Sequence, residues 1–253
     1  MIDTHCHISS EYYDDISMLM DKIRASGVIK VINSGCDMKS NLEILNLISK
    51  YDGMYGAIGF HPTELSDNID SDIEWLESHI NDKKIVAIGE IGLDYHYDGY
   101  DKERQIYAFR KQLELASKYN KPVIIHSRDS IEDTYNILTE YKVNGVIHSF
   151  SSSLEMAKKF IKLGFYIGVG GVVTFKNAKN IINVIEGIDT KYILLETDSP
   201  YLSPEPYRGK TNDSANIPII AKKIADVKNV SLSLVENITT NSACGLFDLS
   251  SNL

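Results

Sequence analysis

This sequence lacks the long apolar runs of a membrane protein. Its apolar stretches, such as 123–125 and 193–195, are short, whereas a membrane span needs about 20 consecutive apolar residues. The start, from Met1 to His7, has neither the basic segment nor the apolar segment of a secretory signal. We therefore expect a protein without membrane association that works in the cytoplasm.

Cysteine is scarce, and the chain has three: Cys6, Cys36 and Cys244. An odd number without paired spacing argues against a disulfide framework and fits a reducing compartment. Low-complexity segments and linkers rich in proline and glycine are also missing. With 43% hydrophobic and 24% charged residues, the composition is that of a globular protein, and we expect a single domain over 1–253.

Positive charge is in short supply, because 26 Lys and Arg residues face 35 Asp and Glu residues and leave a net charge of −9. A protein that binds nucleic acid over a broad surface is usually basic. Any nucleic acid would therefore bind at a local site, where bound cations would reverse the sign of the charge. The sequence leaves the oligomeric state open and is compatible with a monomer.

A short apolar, β-branched run followed by a helical pattern recurs along the whole chain. The runs begin near Met1, Val28, Met54, Ile85, Pro122, Gly145, Phe165 and Tyr192. Their spacing is close to the roughly 30 residues of one βα unit, so we predict an α/β fold, a (β/α)8 TIM barrel. An open, doubly wound sheet is the alternative. The patterns predict helices over 14–26, 102–119 and 153–163, and two further helices within 213–249.

Residues of metal-binding type follow the ends of several predicted strands. They are His5, His7, Glu90, His126, His148 and Asp198. In a barrel the carboxyl ends of the strands form one rim, where active sites lie, so we expect these six side chains to converge. Each residue alone has a commoner explanation, such as a hydrogen-bonded core histidine or a loop carboxylate. Their joint placement at strand ends carries the prediction of a metal site.

The alternation of side chains along a strand supports this interpretation. His5 and His7 share one face, and Cys6 points to the other, where we interpret it as a small buried hydrophobe. Four imidazoles and two carboxylates are too many for one tetrahedral ion and suit two ions that share a bridging carboxylate. Because such a site deprotonates bound water near neutral pH, the expected reaction is hydrolysis.

At this point the sequence resembles a known family, the TatD-type metal-dependent deoxyribonucleases within the amidohydrolase-like superfamily. The resemblance runs from Met1 to about Phe247. It rests on the segments Asp3-Thr4-His5-Cys6-His7, Gly59-Phe60-His61-Pro62, Gly89-Glu90-Ile91-Gly92-Leu93-Asp94-Tyr95, Pro122-Val123-Ile124-Ile125-His126-Ser127-Arg128, His148-Ser149-Phe150-Ser151, and Glu196-Thr197-Asp198-Ser199-Pro200-Tyr201-Leu202.

The resemblance implies a TIM barrel with one or two divalent ions and a 3′→5′ exonuclease activity on DNA. By this resemblance, His5, His7 and Asp198 would hold the first ion, Glu90 would bridge both ions, and the remaining two histidines, His126 and His148, would hold the second. Asp198 and Glu90 are the expected catalytic residues, with Asp198 orienting the attacking water and accepting its proton. Imidazole ligands favour zinc or manganese, whereas DNA chemistry in this family is often supported by magnesium, so the metal stays open.

Six residues are candidates for binding the DNA substrate: Arg128, His61, Tyr201, Arg208, Lys210 and Asn212. Arg128 suits a phosphate, although a salt bridge at the rim would explain it equally well. His61 would reach the substrate or hydrogen-bond Asp94 or a loop carbonyl. Arg208 and Lys210 would contact the DNA backbone or lie solvated in their loop, and Tyr201 would stack on a base or pack at the rim.

Two departures from the family pattern lie near these candidates. The family commonly has a basic-Asn-Glu-Pro stretch after the eighth strand, where this chain has Asp213 and Ser214 after Asn212. It often has cysteine after the sixth-strand histidine, where this chain has Ser149. Neither departure changes a proposed metal ligand, but the first lies in the loop expected to meet the substrate.

Two other functions remain open from the sequence. One is an amidohydrolase-like enzyme that hydrolyses a small ester, amide or phosphoester, or an aminoacyl-tRNA, because one fold and one class of site serve many substrates. The other is a non-catalytic barrel that keeps a metal as a structural element. Loss of activity on chelation, with the fold retained, would distinguish an enzyme from the second alternative.

Overall fold

The computed structural model describes residues 1–249, in which parallel strands alternate with helices. The strands are β1 (Ile2–Cys6), β2 (Lys30–Ser34), β3 (Met54–Ile58), β4 (Ile85–Asp94), β5 (Val123–Arg128), β6 (Gly145–Ile147), β7 (Phe165–Val169) and β8 (Ile193–Leu195). The helices are α1 (Ile16–Ala25), α2 (Met38–Lys50), α3 (Ile69–His79), α4 (Lys102–Tyr119), α5 (Ile131–Leu138), α6 (Leu154–Lys162), α7 (Lys179–Gly187), α8 (Ile217–Lys228) and α9 (Leu232–Phe247).

The strand order confirms the predicted fold class. The strands form one eight-stranded sheet in the order β1 to β8, and an isolated parallel bridge joins Cys6 at the end of β1 to Ser199 beyond β8. This is the topology of a (β/α)8 TIM barrel with extra helices at the carboxyl-terminal side. Each strand begins within two residues of its predicted start, and the open, doubly wound alternative is wrong.

The chain divides into two compact units. The first joins Met1–Asn33 to the chain from Ser149 onward, and the second is Ser34–His148. In the first unit β1 pairs with β2 and β7 with β8, and its buried side chains include Phe160 and Phe165. In the second, β4 pairs with β3 and β5, and β5 with β6. The single domain over 1–253 stays a prediction.

Local signals explain where the helices begin and end. Helix α4 begins after Asp101, whose side chain accepts a hydrogen bond from the backbone N–H of Arg104, and ends at Asn120, which adopts φ +51°. Asparagine is one of the few residues other than glycine that tolerates this left-handed conformation. The helix predicted over 102–119 is therefore confirmed, because an N-cap and a C-cap flank its amphipathic pattern.

Strands β4 and β5 approach each other closely at Gly92. Gly92 has φ +146° and pairs with His126, and a Cβ atom at this position would lie 1.9 Å from the carbonyl oxygen of His126. Only glycine fits both the conformation and the space. The register continues to the pair Asp94 and Arg128, which fixes the ends of β4 and β5 side by side.

Within residues 1–249, every helix falls short of the length and apolar character that crossing a bilayer would require.

Candidate metal centre

In the first unit, His5, His7 and Asp198 lie together as the first cluster. The two imidazole Nε2 atoms are 3.1 Å apart, and Asp198 Oδ1 lies 3.5 Å from that of His5 and 3.4 Å from that of His7. His5 is fully buried, whereas His7 keeps 14% and Asp198 16% of its side chain exposed. The two histidines share a face as predicted, and the Cys6 thiol instead donates to the carbonyl of Ile32.

The loop after β8 presents Asp198 to these histidines. Asp198 adopts φ +55°, and its backbone N–H donates to the carbonyl of His5 at 3.0 Å. The buried Asp3 carboxylate accepts hydrogen bonds from the backbone N–H of Thr197 at 3.0 Å and from its hydroxyl at 2.6 Å. Burial raises the pKa of Asp3 to about 6, although these hydrogen bonds oppose the shift. Hydrogen bonds from Thr197 to Asp3 and from Asp198 to His5 thus hold this loop against β1.

Asn212 supports the same loop through hydrogen bonds to its backbone carbonyls. Its amide donates to the carbonyl of Thr197 at 3.0 Å and to that of Tyr201 at 2.7 Å, and its side-chain oxygen accepts from Asn216. The residue is fully buried. Its contacts therefore serve to hold the segment that carries Asp198, and a direct contact with substrate stays a prediction.

In the second unit, three histidines surround the carboxylate of Glu90 and form the second cluster. Glu90 Oε1 lies 2.9 Å from His126 Nδ1, 3.5 Å from His148 Nε2 and 3.7 Å from His61 Nε2. Glu90 is 3% exposed, so its charge lies away from bulk water. His61, predicted as a substrate residue, thus lies among the candidate metal ligands, and its Nδ1 contacts the Thr63 hydroxyl at 2.8 Å.

Asp94 belongs to this cluster, although the sequence indicated it only as an alternative partner for His61 and not as a site residue. His126 Nε2 lies 2.9 Å from Asp94 Oδ2 while Nδ1 faces Glu90, so a carboxylate contacts each ring nitrogen. Burial lowers the pKa of His126, but the bonds to Asp94 and Glu90 outweigh it and raise the pKa to about 9. Burial would raise the pKa of Asp94, and His126 reverses this and lowers it. One sequence feature pointed to Asp94 as a site residue: it lies four residues after Glu90, at the end of β4.

Cys36 adds a sulfur atom beside Glu90. Its thiol lies 3.9 Å from Glu90 Oε2, and its carbonyl accepts the backbone N–H of His61 at 2.8 Å. Cys6 and Cys244 are buried, whereas Cys36 is partly exposed. The sequence assigns Cys36 no role, because a single cysteine after β2 carries no metal-binding pattern.

The residues predicted to bind substrate differ widely in exposure. Tyr201 is 51% exposed, its ring lies edge-on to His7 at 6.3 Å, and its hydroxyl lies 2.9 Å from that of Tyr12. Arg208 and Lys210 are exposed in the loop beyond. The guanidinium of Arg208 lies 4.4 Å from the centre of the Phe175 ring. These side chains lie at the surface of the first unit, where a ligand has access to them.

Glu196 is a buried carboxylate with an identified partner. Its Oε1 accepts the backbone N–H of Ser149 at 2.6 Å. A Cβ at Gly168 would lie 2.4 Å from Glu196 Oε2, so the absent side chain makes room for the carboxylate. The glycine at position 168 in β7 therefore has a local reason.

The chemistry of the donor atoms fits divalent cations. Each cluster combines imidazole nitrogens with carboxylate oxygens, which are the ligands of zinc, manganese and related ions, and His61, Glu90 and His126 offer donor atoms within 4.8 Å of one another. Negative carboxylates buried beside imidazoles are stabilised by a bound cation.

Comparison with known proteins identifies the family of this chain. The model of the family described as TatD related DNase matches residues 2–248. The chain belongs to this family. It is 39% identical to the uncharacterized metal-dependent hydrolase YabD of Bacillus subtilis, with 98% of each chain covered. It is 35% identical to the uncharacterized metal-dependent hydrolase YcfH of Escherichia coli K12, over 98% of this chain and 96% of that protein.

A solved structure supports the fold. The crystal structure of YjjV, the TatD homologue of Escherichia coli K12, superposes with a TM-score of 0.94 at 30% identity and covers 98% of each chain. The TIM barrel is thereby established, and the protein is a metal-dependent hydrolase of the TatD family. The recognition made from the strand-end motifs is confirmed.

Proposed function

We propose that this protein is a deoxyribonuclease that removes nucleotides from the 3′ end of single-stranded DNA. The observation that carries the proposal is the pair of histidine–carboxylate clusters in a member of the TatD related DNase family. The histidine–carboxylate donors suit hydrolytic metal chemistry, and the family description points to DNA.

We assign His5, His7 and Asp198 to one divalent ion and His126 and His148 to a second, with Glu90 shared between them. Barrel active sites lie at the carboxyl-terminal side of the strands, and this supports the pairing: His5, Glu90 and His126 lie in the carboxyl-terminal halves of β1, β4 and β5, and His7, His148 and Asp198 follow β1, β6 and β8. Strand β4 continues to Asp94 instead of ending at Glu90 as the sequence predicted. When bound, such ions lower the pKa of water and polarise the phosphoryl group. Magnesium, manganese and zinc are the candidates for the working ions.

The side chains of this chain would divide the remaining work. Asp198, whose carboxylate lies 3.5 Å from His5 Nε2 and 3.4 Å from His7 Nε2, orients the attacking water and accepts its proton. Arg128, the last residue of β5, neutralises a phosphate oxygen. Arg208 and Lys210 contact the backbone of the strand, and Tyr201 offers an exposed ring to a base. Asn212 acts by holding the loop of Asp198 and Tyr201 in place.

The proposal is tested by incubating the protein with 5′-labelled single-stranded DNA and magnesium or manganese. We expect a ladder that shortens from the 3′ end and that disappears with chelator. The variant Asp198→Asn should lower the rate by about 100-fold or more, because it removes the proton acceptor. Asp226→Asn on the surface of α8 is the matched control and should cleave like the wild type.

Intact DNA in the presence of bound metal would overturn the nuclease assignment. The same samples would then be assayed against small esters, amides and phosphoesters and an aminoacyl-tRNA, which the donor set alone would also serve. Equal cleavage by Asp198→Asn and wild type would be consistent with the nuclease function but would contradict the role of Asp198 as proton acceptor.

A further inference from the structure

The loop between β4 and α4 carries a group of aromatic side chains that the metal chemistry does not use. Tyr97 is 59% exposed and Tyr100 is 43% exposed. Exposed aromatic rings grouped in one loop are unusual on a soluble surface unless they meet a partner. We call Tyr97, Tyr100 and Arg128 the Tyr97 platform.

Arg128 stacks on the most exposed ring of this platform. Its guanidinium carbon lies 5.4 Å from the centre of the Tyr97 ring, and one of its N–H groups donates to the Tyr97 hydroxyl at 3.3 Å. Within residues 1–249 its guanidinium forms no ion pair with a carboxylate. A fixed, uncompensated cation beside an exposed ring suits a phosphate next to a base.

The underlying residues hold the loop in this shape. Tyr95 and Tyr100 stack with centroids 4.7 Å apart and planes 13° apart. Tyr95 donates through its hydroxyl to Asp133 at 3.0 Å, and Lys102 forms an ion pair with the same carboxylate at 2.5 Å. The loop is therefore preorganised, which lowers the entropic cost of binding a ligand.

The acidic side chains near the platform are mostly engaged. Asp129 pairs with His96 at 2.9 Å, Asp133 pairs with Lys102, and Asp101 caps α4. Asp98 lies exposed in the loop, where solvent and salt screen its charge. The charge of Asp133 is thus balanced by Lys102, and the charges of the exposed Asp98, Asp101 and Asp129 face solvent and salt, which screen their repulsion of a phosphate at Arg128.

The strand register connects the platform to the second cluster. Arg128 lies two residues beyond His126 on β5 and pairs with Asp94, which contacts His126. The backbone N–H of Tyr95 donates to the carbonyl of Arg128 at 2.9 Å. A DNA strand with its scissile phosphate at the second cluster would therefore extend along the side of the second unit that carries the Tyr97 platform.

We propose that the Tyr97 platform binds unpaired bases of the DNA strand beyond the scissile phosphate, with Tyr97 stacking on a base and Arg128 contacting the adjoining phosphate. The proposal rests on the nuclease function above and names the residues that would hold the bases of its single-stranded substrate. Single strands are favoured over duplexes because the faces of bases in a duplex are already stacked.

The test measures binding of 5′-fluorescein-labelled thymidine octanucleotide by fluorescence anisotropy in chelator, beside a strand of equal length whose internal bases are replaced by abasic residues. Wild type should bind the base-containing strand more tightly. Tyr97→Ala should weaken that binding roughly 5- to 100-fold and bring it close to that of the abasic strand. Tyr97→Phe keeps the ring and should retain most of the preference.

A matched control is available on helix α4 of the same unit. Tyr107 is 42% exposed, and the Lys111 ammonium lies 5.5 Å from its ring centre, so the pair resembles Tyr97 and Arg128 in composition. Tyr107→Ala should bind both strands like the wild type. Circular dichroism of each variant shows that the fold is retained.

The proposed role of the Tyr97 platform is contradicted if Tyr97→Ala keeps the wild-type preference for the base-containing strand. It is also contradicted if wild type binds both strands equally. Cleavage of the octanucleotide by wild type with magnesium or manganese, measured in parallel, separates this result from the nuclease assignment. Cleavage without a preference for the base-containing strand would contradict only the role of the Tyr97 platform. Base-selective binding without cleavage would contradict only the nuclease function. The absence of both binding and cleavage would contradict both proposals.

Discussion

At the scale of single residues, the contact between Asp94 and His126 is the most informative feature of the second cluster. A carboxylate on Nε2 leaves Nδ1 to face Glu90, where a metal ion would bind. Partners of this kind fix the orientation and the tautomer of a metal-binding histidine. Asp94 therefore acts by positioning His126.

We predict that Asp94→Ala lowers the apparent affinity for zinc about 10- to 100-fold, because the His126 ring loses its fixed orientation. The measurement is a competition titration with a chromophoric chelator. Asp129→Asn, which removes the exposed partner of His96, is the matched control and should keep the wild-type affinity. Unchanged affinity in Asp94→Ala would remove its positioning role.

The raised pKa of His126 gives a prediction for the metal-free protein. In the folded state the pKa is about 9 against an ordinary value of 6.5, so the imidazolium between Glu90 and Asp94 stabilises the fold. This contribution is present in full below pH 6.5 and is lost as the pH rises through about 9.

Urea unfolding in chelator at several pH values measures this contribution. The free energy of unfolding of the wild type minus that of His126→Gln should decrease between pH 6.5 and 9. The corresponding difference for His79→Gln on α3 provides the control. A wild-type advantage over His126→Gln that stays constant across the range would contradict the assigned ion pairs.

At the scale of elements, Gly92 is where β4 and β5 set the geometry of the second cluster. A side chain here would meet the carbonyl of His126 at 1.9 Å, and the conformation with φ +146° is itself unfavourable for other residues. Strand β4 must then shift away from β5, which would move Glu90 and Asp94 relative to His126.

We predict that Gly92→Ala lowers the free energy of unfolding by about 1–3 kcal/mol or more and weakens metal binding. Gly245→Ala on α9, where the added Cβ meets no atom within 4 Å, is the contrasting substitution. It should stabilise the protein by about 0.5–1 kcal/mol, because alanine loses less backbone entropy in a helix. Urea unfolding measures both, and equal effects would refute the close approach of β4 and β5.

The elements were largely predictable from the sequence, and particular residues explain why. Asp101 and Asn120 flank the pattern of α4, and the buried strands are continuous apolar runs, so their limits follow from local chemistry. The positions of Asp94 and His61 were harder to foresee. The register of β4 against β5 shifts between Ile88 and Ile91, so simple alternation does not carry through to Asp94.

Loops account for the rest of what the sequence did not predict. The stacking of Arg128 on Tyr97 and the pairing of Tyr12 with Tyr201 join side chains that come from different loops and strand ends. No periodicity specifies such contacts, because turn geometry and packing determine them. Asn212 shows the same limit, since only its buried hydrogen bonds reveal how it holds the loop.

At the scale of the whole molecule, a net charge of −9 predicts that the proposed DNA binding depends on a few local cations. For single strands, the logarithm of the affinity falls with the logarithm of the salt concentration with a slope of about −0.7 for each phosphate contact. A protein with few contacts should therefore show a shallow dependence on salt.

We predict that Arg208→Gln combined with Lys210→Gln makes this slope shallower by about 1.4, as expected for two lost phosphate contacts. Lys158→Gln combined with Lys162→Gln on α6 changes the net charge equally and should leave the slope unaltered. Anisotropy titrations with labelled single-stranded DNA at increasing salt measure the slope. The same slope in both double variants would show that Arg208 and Lys210 do not contact the backbone.

The central claim, that this TatD-family barrel cleaves DNA with ions held at its strand-end clusters, is tested most directly by titrating metal back into the chelated protein. Release of mononucleotides from single-stranded DNA would be measured against the number of manganese ions added per chain, with the fold monitored by circular dichroism. The account predicts no release from the folded, metal-free protein and a rise that levels off at about two bound ions. Release by the metal-free protein, or intact DNA with both ions bound, would contradict it.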